Sequence, residues 1–284
     1  MKIKILFTAL AAALISSAAL HAQADIFWMN YVDSNWDTTT SNFYSVGNKW
    51  TDGSNFIINQ SPLANSSYAV NVTGTGYTVN NLSFWNQGGG GATGFTIAGG
   101  TLTINSTIQA VPGMSDTINS FVHVTNQYSL NLDSGSTIAL GGGGNFNGLN
   151  PIGTSGGTLW FASGAFDFSS GAWTVARGDT LKFTIGTGAP TVNLGNFFVG
   201  LGQSDSVDFY ANGLLTADHY VIASYSYLTG AGFTNVVNLP AGYTLDYNYL
   251  GLNEIALVVP EPSTWAMMLG GLGMLTMFRR RRRA

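Results

Sequence analysis

Gly135-Ser136-Thr137-Ile138-Ala139-Leu140, Gly156-Gly157-Thr158-Leu159-Trp160-Phe161 and Gly178-Asp179-Thr180-Leu181-Lys182-Phe183 are three copies of one phrase, Gly-x-Thr-(Leu/Ile)-x-apolar. Each copy is a turn glycine followed by a short alternating strand, with the Leu or Ile and the last apolar residue on one face. The leading glycines stand 21 and 22 residues apart, a repeat length of stacked-coil architectures. One such strand cannot bury its apolar face alone. Successive coils stacked in parallel bury it and pair the internal ladders at once. The phrase therefore predicts an all-β fold with a parallel β-helix or solenoid-like body. A sandwich of antiparallel strands is the alternative that the same Gly- and Asn-bounded strands allow.

Two further copies, Gly99-Gly100-Thr101-Leu102-Thr103-Ile104 and Gly242-Tyr243-Thr244-Leu245-Asp246-Tyr247, extend the pattern in both directions. Glycine tracts at 88–91 and 141–144 punctuate the strands as corners or loops. Ahead of the repeats stand Trp28, Trp36 and Trp50, large enough to seal the open end of a core, as a terminal repeat must. Behind them, Tyr220-Val221-Ile222 and residues 243–259 read as closing strands, with Leu239-Pro240-Ala241-Gly242 as the turn between.

The two ends differ from this body. Met1, Lys2 and Lys4 precede an apolar run from Ile5 to Leu20, and Ala22-Gln23-Ala24 follows, which is the layout of a cleavable secretion signal cut after Ala24. At the other end Pro260-Glu261-Pro262-Ser263 leads into an apolar run over 264–278 and then Arg279, Arg280, Arg281, Arg282 and Arg283. This reads as a short membrane helix with a basic stop that stays cytoplasmic. The run is shorter than the roughly 20 residues a helix needs to cross a bilayer comfortably, which suits a transient anchor. Three segments result: a signal peptide over 1–24, an extracytoplasmic β-rich body over 25–259, and a sorting and anchor tail over 260–284.

With both ends set aside, the body holds Lys49, Arg177 and Lys182 against thirteen acids, a net charge of −10. Such a surface repels phosphate backbones and anionic lipid, so nucleic acid is excluded as a partner. Cysteine is absent, which rules out disulfides, thiolate metal sites and a cysteine nucleophile.

The order of Pro260, Glu261, Pro262 and Ser263, apolar run and arginine cluster resembles the PEP-CTERM sorting signal of Gram-negative bacteria. That resemblance implies a protein exported across and anchored in the inner membrane by its tail. It further implies processing by an exosortase-type enzyme and delivery to the cell surface or extracellular matrix, often in organisms that secrete exopolysaccharide. In the body, Gly94-Phe95-Thr96-Ile97-Ala98-Gly99-Gly100-Thr101-Leu102-Thr103-Ile104 resembles the autotransporter-associated β-strand repeat, which belongs to passenger-like β-helical surface proteins.

Catalytic chemistry finds little footing. Past the signal only His123 and His219 remain, and no serine of the body stands in a Gly-x-Ser-x-Gly elbow. Alternation in Phe121-Val122-His123-Val124 puts His123 on the solvent side of a strand. Asp218 beside His219 lacks the spaced partners that a transition-metal site requires. A glycan-cleaving β-helix would lean on Arg177 or Lys182, but both belong to the Gly178 repeat. The acidic turn Asp205-Ser206-Val207-Asp208 offers oxygen donors suited to calcium, and turn geometry explains the same residues. Trp85, Trp160 and Trp173 could stack on sugar rings, with core packing as their other use. The expected protein is a non-enzymatic structural or adhesive surface protein without a cofactor or metal. An exopolysaccharide-binding module is the alternative, and a β-helix glycan-cleaving enzyme the less favoured one.

Overall fold

The computed structural model describes residues 25–28, 35–36, 43–44, 50, 52–60, 68–86, 94–125, 129–146, 156–175, 178–199 and 205–260. The segment over 1–24 expected to be a secretion signal, Glu261 and all that follows it lie outside the described residues, as do Arg177 and the 88–91 glycine tract.

The body is a parallel β-solenoid. One sheet of nine strands runs Asn35–Trp36, Tyr68–Val72, Phe95–Ala98, Ser115–Ile118, Thr137–Leu140, Thr158–Phe161, Thr180–Gly186, Ser206–Asn212 and Asn235–Val237, each beside the next. We call it the repeat sheet, because the three opening phrases all lie on it. Their register is the one the phrase dictates: Thr137 faces Thr158 and Thr158 faces Thr180, while Leu140, Phe161 and Phe183 stack in a column. Two columns thus run inward along the axis, Ile138-Leu159-Leu181-Val207 and Leu140-Phe161-Phe183-Phe209, and all eight side chains are buried.

A second, larger sheet takes the next side of each coil through Asn55–Gln60, Tyr77–Asn86, Thr101–Ala110, Phe121–Val124, Gly144–Phe146, Ala165–Asp167, Thr191–Asn193 and His219–Ser224. A third sheet, Ala172–Thr174, Asn196–Phe198 and Tyr227–Thr229, closes the triangle in the last coils. The coil grows toward the C-terminus: Thr158 to Thr180 is 22 residues, Thr180 to Ser206 is 26, and Ser206 to Asn235 is 29.

Two copies of the phrase do not stack with the other three. The Gly99 copy forms Thr101–Ala110 on the larger sheet, and the Gly242 copy forms Thr244–Asp246, an antiparallel partner of Glu254–Val258. The phrase encodes a turn and a half-buried strand, and any side of a coil accepts that combination. At the corner before the repeat sheet, Gly157 is glycine for want of room, since a Cβ there would strike Leu132.

Both ends of the core are plugged by aromatic rings. At the first coil Trp36 is fully buried, with its ring 4.9 Å from Trp50, 4.1 Å from Phe56 and stacked 5.3 Å from Tyr77. Trp36 and Trp50 therefore seal the open end as their composition predicts; the Trp28 side chain lies outside the described residues. At the last coil, the hairpin of Thr244–Asp246 and Glu254–Val258 folds back antiparallel on His219–Ser224. Its Tyr247 covers Phe233, accepting that residue's N–H at 2.8 Å, and the Tyr225 hydroxyl donates to the Tyr247 carbonyl at 2.7 Å. Among the described residues no helix is long and apolar enough to cross a membrane; the expected span over 264–278 lies beyond them.

Candidate functional site

Four features of the solenoid could carry function: its outer faces, a groove, its buried acids, and the point where the chain leaves it. On the outer face of the repeat sheet, register aligns Trp160, Lys182 and Asp208 across three neighbouring strands. The Lys182 ammonium lies 2.9 Å from the Asp208 carboxylate and 5.1 Å from the centre of the Trp160 ring. Tyr210 meets the same indole edge-on at 5.4 Å, the Trp160 N–H donates to Thr184 at 3.0 Å, and the Asn238 amide donates to Asp208 at 2.7 Å. This is a compact patch of one exposed phenol, one half-covered indole and an ion pair. Trp85 is exposed on the larger sheet instead, and the Trp173 side chain lies outside the described residues. The three tryptophans therefore do not make one row.

Along the larger sheet, Thr191–Asn193 and His219–Ser224 pair only at Asn193 and Ser224. Where they splay apart a groove of about 270 Å³ opens, lined by Phe166, Pro190, Val192, Val221 and Ala223 with Glu254 as its one acid. Glycoside cleavage needs two carboxylates across the bond, and this lining supplies one.

The buried acids divide into two kinds. Ser136, Gly157, Asp179 and Asp205 occupy one corner column, each carbonyl accepting the N–H of the next coil's first strand residue, from Thr158, Thr180, Ser206 and Asn235. The Asp179 carboxylate also accepts the Gly156 N–H at 3.0 Å, and that of Asp205 accepts the Thr234 hydroxyl at 2.7 Å. These acids tie corners together. Asp205 is buried in this role while Asp208, an odd number of residues on, points outward to Lys182. The turn thus sends its two carboxylates to opposite faces and does not gather them around a calcium ion, and among the described residues no three acids or histidines converge.

Asp116 is the other kind. It pairs in register with Ile138 and so opens the inward column that Ile138, Leu159 and Leu181 continue. Its Oδ1 accepts the Phe95 N–H at 2.9 Å, and its Oδ2 has no hydrogen-bond partner among the described residues. Burial pushes its carboxyl up to about 7, against the smaller opposing pull of the Phe95 N–H. The alternation Met114, Asp116, Ile118 places this acid inward, a signal legible in the sequence that composition alone does not reveal.

The two histidines stay apart. His123 lies on the outward side of its strand, between Thr103 and Asn145 in register. His219 is exposed and stacks on Tyr249 at 4.8 Å.

The last strand, Glu254–Val258, delivers the chain to the surface: the Val259 N–H donates to the Asp218 carbonyl at 2.8 Å, and Pro260 is exposed. Of the sorting residues read from sequence, Pro260 is thus at the exit, while Glu261, Pro262, Ser263 and Arg279 through Arg283 lie outside the described residues. No curated protein and no solved structure matches the chain. One family does match, over residues 258–283, beginning at the final residue of the last strand. The chain therefore carries the PEP-CTERM protein-sorting motif, which marks it as an exported, exosortase-sorted protein directed toward the cell surface.

Proposed function

We propose that this chain is a structural or adhesive protein of the cell surface or extracellular matrix, held in the inner membrane by residues 264–278 until an exosortase-type enzyme trims it near Glu261. It acts by shape and surface, not by turnover. The observation that carries this reading is the junction. The sorting motif starts where the last strand ends, so a rod plugged at both ends passes directly into its processing signal with no further domain between.

Mature C-termini test it. Expressed in an exosortase-bearing host, the wild-type chain is expected to lose its arginine cluster, as read by intact mass, whereas Glu261→Ala retains it. If both retain the arginines, the protein is membrane-anchored without release and the surface reading fails.

The patch of Trp160, Lys182, Asp208 and Tyr210 favours a second reading, in which the rod binds exopolysaccharide. An aromatic face beside fixed polar groups suits a sugar ring. Tyr210→Ala is expected to weaken retardation in exopolysaccharide-containing native gels by a few-fold to about tenfold, the scale of one aromatic contact of about 0.5–1.5 kcal/mol. Equal retardation of the two proteins would assign the patch to packing alone.

A further inference from the structure

Exposed apolar side chains are not spread evenly along the rod. Among the described residues, every exposed large hydrophobic except Trp85 and Phe121 lies at or beyond Tyr210, in the last coil and the segments that follow it up to the sorting tail. Leu214, at 87% exposure, is the barest; Leu250 and Leu252 stand out on the hairpin turn, and Leu239 and Val259 are each a little over a third exposed.

Leu214, Leu239 and Val259 sit around the exit of the chain. Val259 is hydrogen-bonded to Asp218 at the end of the loop that carries Leu214. The turn bearing Leu239 runs into Tyr243, whose hydroxyl donates to the Ala217 carbonyl of that loop at 2.7 Å. From the other side the Tyr220 hydroxyl accepts the Thr216 and Ala217 N–H groups at 2.9 and 3.1 Å. The loop is thus braced by two tyrosines and presents a leucine with nothing over it. Across residues 209–245 the only carboxylate is Asp218 and there is no lysine or arginine.

Where the chain goes next says what covers this end. Only Pro260, Glu261, Pro262 and Ser263 separate Val259 from the apolar run. Four extended residues reach at most about 14 Å. A body tethered so closely holds its exit face against the bilayer that takes the tail. The face has the chemistry for that position: one bare leucine and two partly exposed aliphatic side chains that gain by leaving water, phenols suited to the headgroup level, and almost no charge to desolvate.

We propose that the end of the solenoid bearing Leu214, Leu239 and Val259 rests in the lipid interface before processing, so that the body stands on the membrane by its last coil. The proposal rests on the anchoring through residues 264–278. Contact is hydrophobic, so it needs no anionic lipid, which the acidic body would resist.

The absence of native cysteine makes the test site-specific. Single cysteines at Leu214→Cys, at Thr276→Cys in the tail, and at Thr75→Cys, an exposed turn toward the other end, would carry an environment-sensitive fluorophore on the tailed chain in phosphatidylcholine vesicles. The labels at 214 and 276 are expected to be quenched several-fold more by nitroxide lipid than the label at 75, and 214 to be shielded from iodide. If 276 is quenched while 214 is as open to iodide as 75, the body stands off the membrane and the proposal falls with anchoring intact. If neither 276 nor 214 is quenched, anchoring itself has failed. Shielding of 214 that comes with cross-links between copies and no lipid quenching would assign the face to a second copy, and would likewise overturn it.

Discussion

Between about pH 4 and about pH 7 the body is expected to lose on the order of 4 kcal/mol of folding stability through Asp116 alone. The folded carboxyl holds its proton up to about 7, while the unfolded group releases it near the ordinary value of 3.8. Within that window the folded state binds more protons than the unfolded one, so stability falls as pH rises. Below the window both states are protonated, and above it both are ionised, the folded state then keeping a charge inside an aliphatic column with one N–H to answer it. Asp116→Asn keeps the acceptor for Phe95 and cannot ionise. Its stability curve, from denaturant unfolding at a series of pH values, is expected to lack this slope and to cross above wild type before neutrality. Every other carboxylate is common to the two proteins, so the difference isolates Asp116. Parallel curves would show that the folded state does not hold this proton.

Truncating Phe161 to alanine should cost about 3–5 kcal/mol, the range for a large aromatic removed from a packed interior. Phe161 is fully buried in the middle of its column, with ring centres 5.2 Å from Phe183, 5.2 Å from Phe166 and 5.9 Å from Phe168. A cavity here is hard to close, because the backbones above and below are held by parallel ladders. In a stacked-coil protein each coil is supported only by its neighbours, so a defect in the middle divides the rod into two weaker halves. The denaturation midpoint should drop, and the transition should broaden as the halves uncouple. Phe121→Ala, on an outward and partly exposed position, is expected to change stability by less than about 0.5 kcal/mol. A similar loss at both positions would mean that the inward column does not dominate the core.

The architecture was readable where the sequence repeats itself and opaque where it does not. Three phrases at 21- and 22-residue spacing favour parallel stacking over the sandwich that the same strands allow, and once the coils stack the register follows, because a one-residue slip would turn Leu159 and Phe161 to solvent. The same words at Gly99 and Gly242 carry no mark of which side of a coil they serve, and only long-range pairing assigns them. The third sheet starts at Ala172–Thr174 in a 22-residue coil and continues through coils of 26 and 29 residues, and its three short strands share no phrase that would announce them. Trp36 and Trp50 were legible as a plug from size alone. Its counterpart around Tyr225, Phe233 and Tyr247 was legible only as closing strands, since tyrosines scattered over a loop and a hairpin declare no common purpose before they meet. For function, the sorting tail was legible because its three parts are contiguous. The outer patch was not, because Trp160, Lys182, Asp208 and Asn238 converge from four coils.

The final hairpin also decides how the rod meets mechanical load. Any pull from the tail enters at Val259, along Glu254–Val258, and that strand is bonded on both flanks, to His219–Ser224 and to Thr244–Asp246. Tension along the strand axis therefore shears two ladders at once, with many bonds yielding together, where a strand held on one flank and pulled sideways would unzip one bond at a time. Load on the tail therefore reaches the stacked coils only by crossing these two ladders in shear, and the closing hairpin is the joint through which any force between the tail and the body must pass.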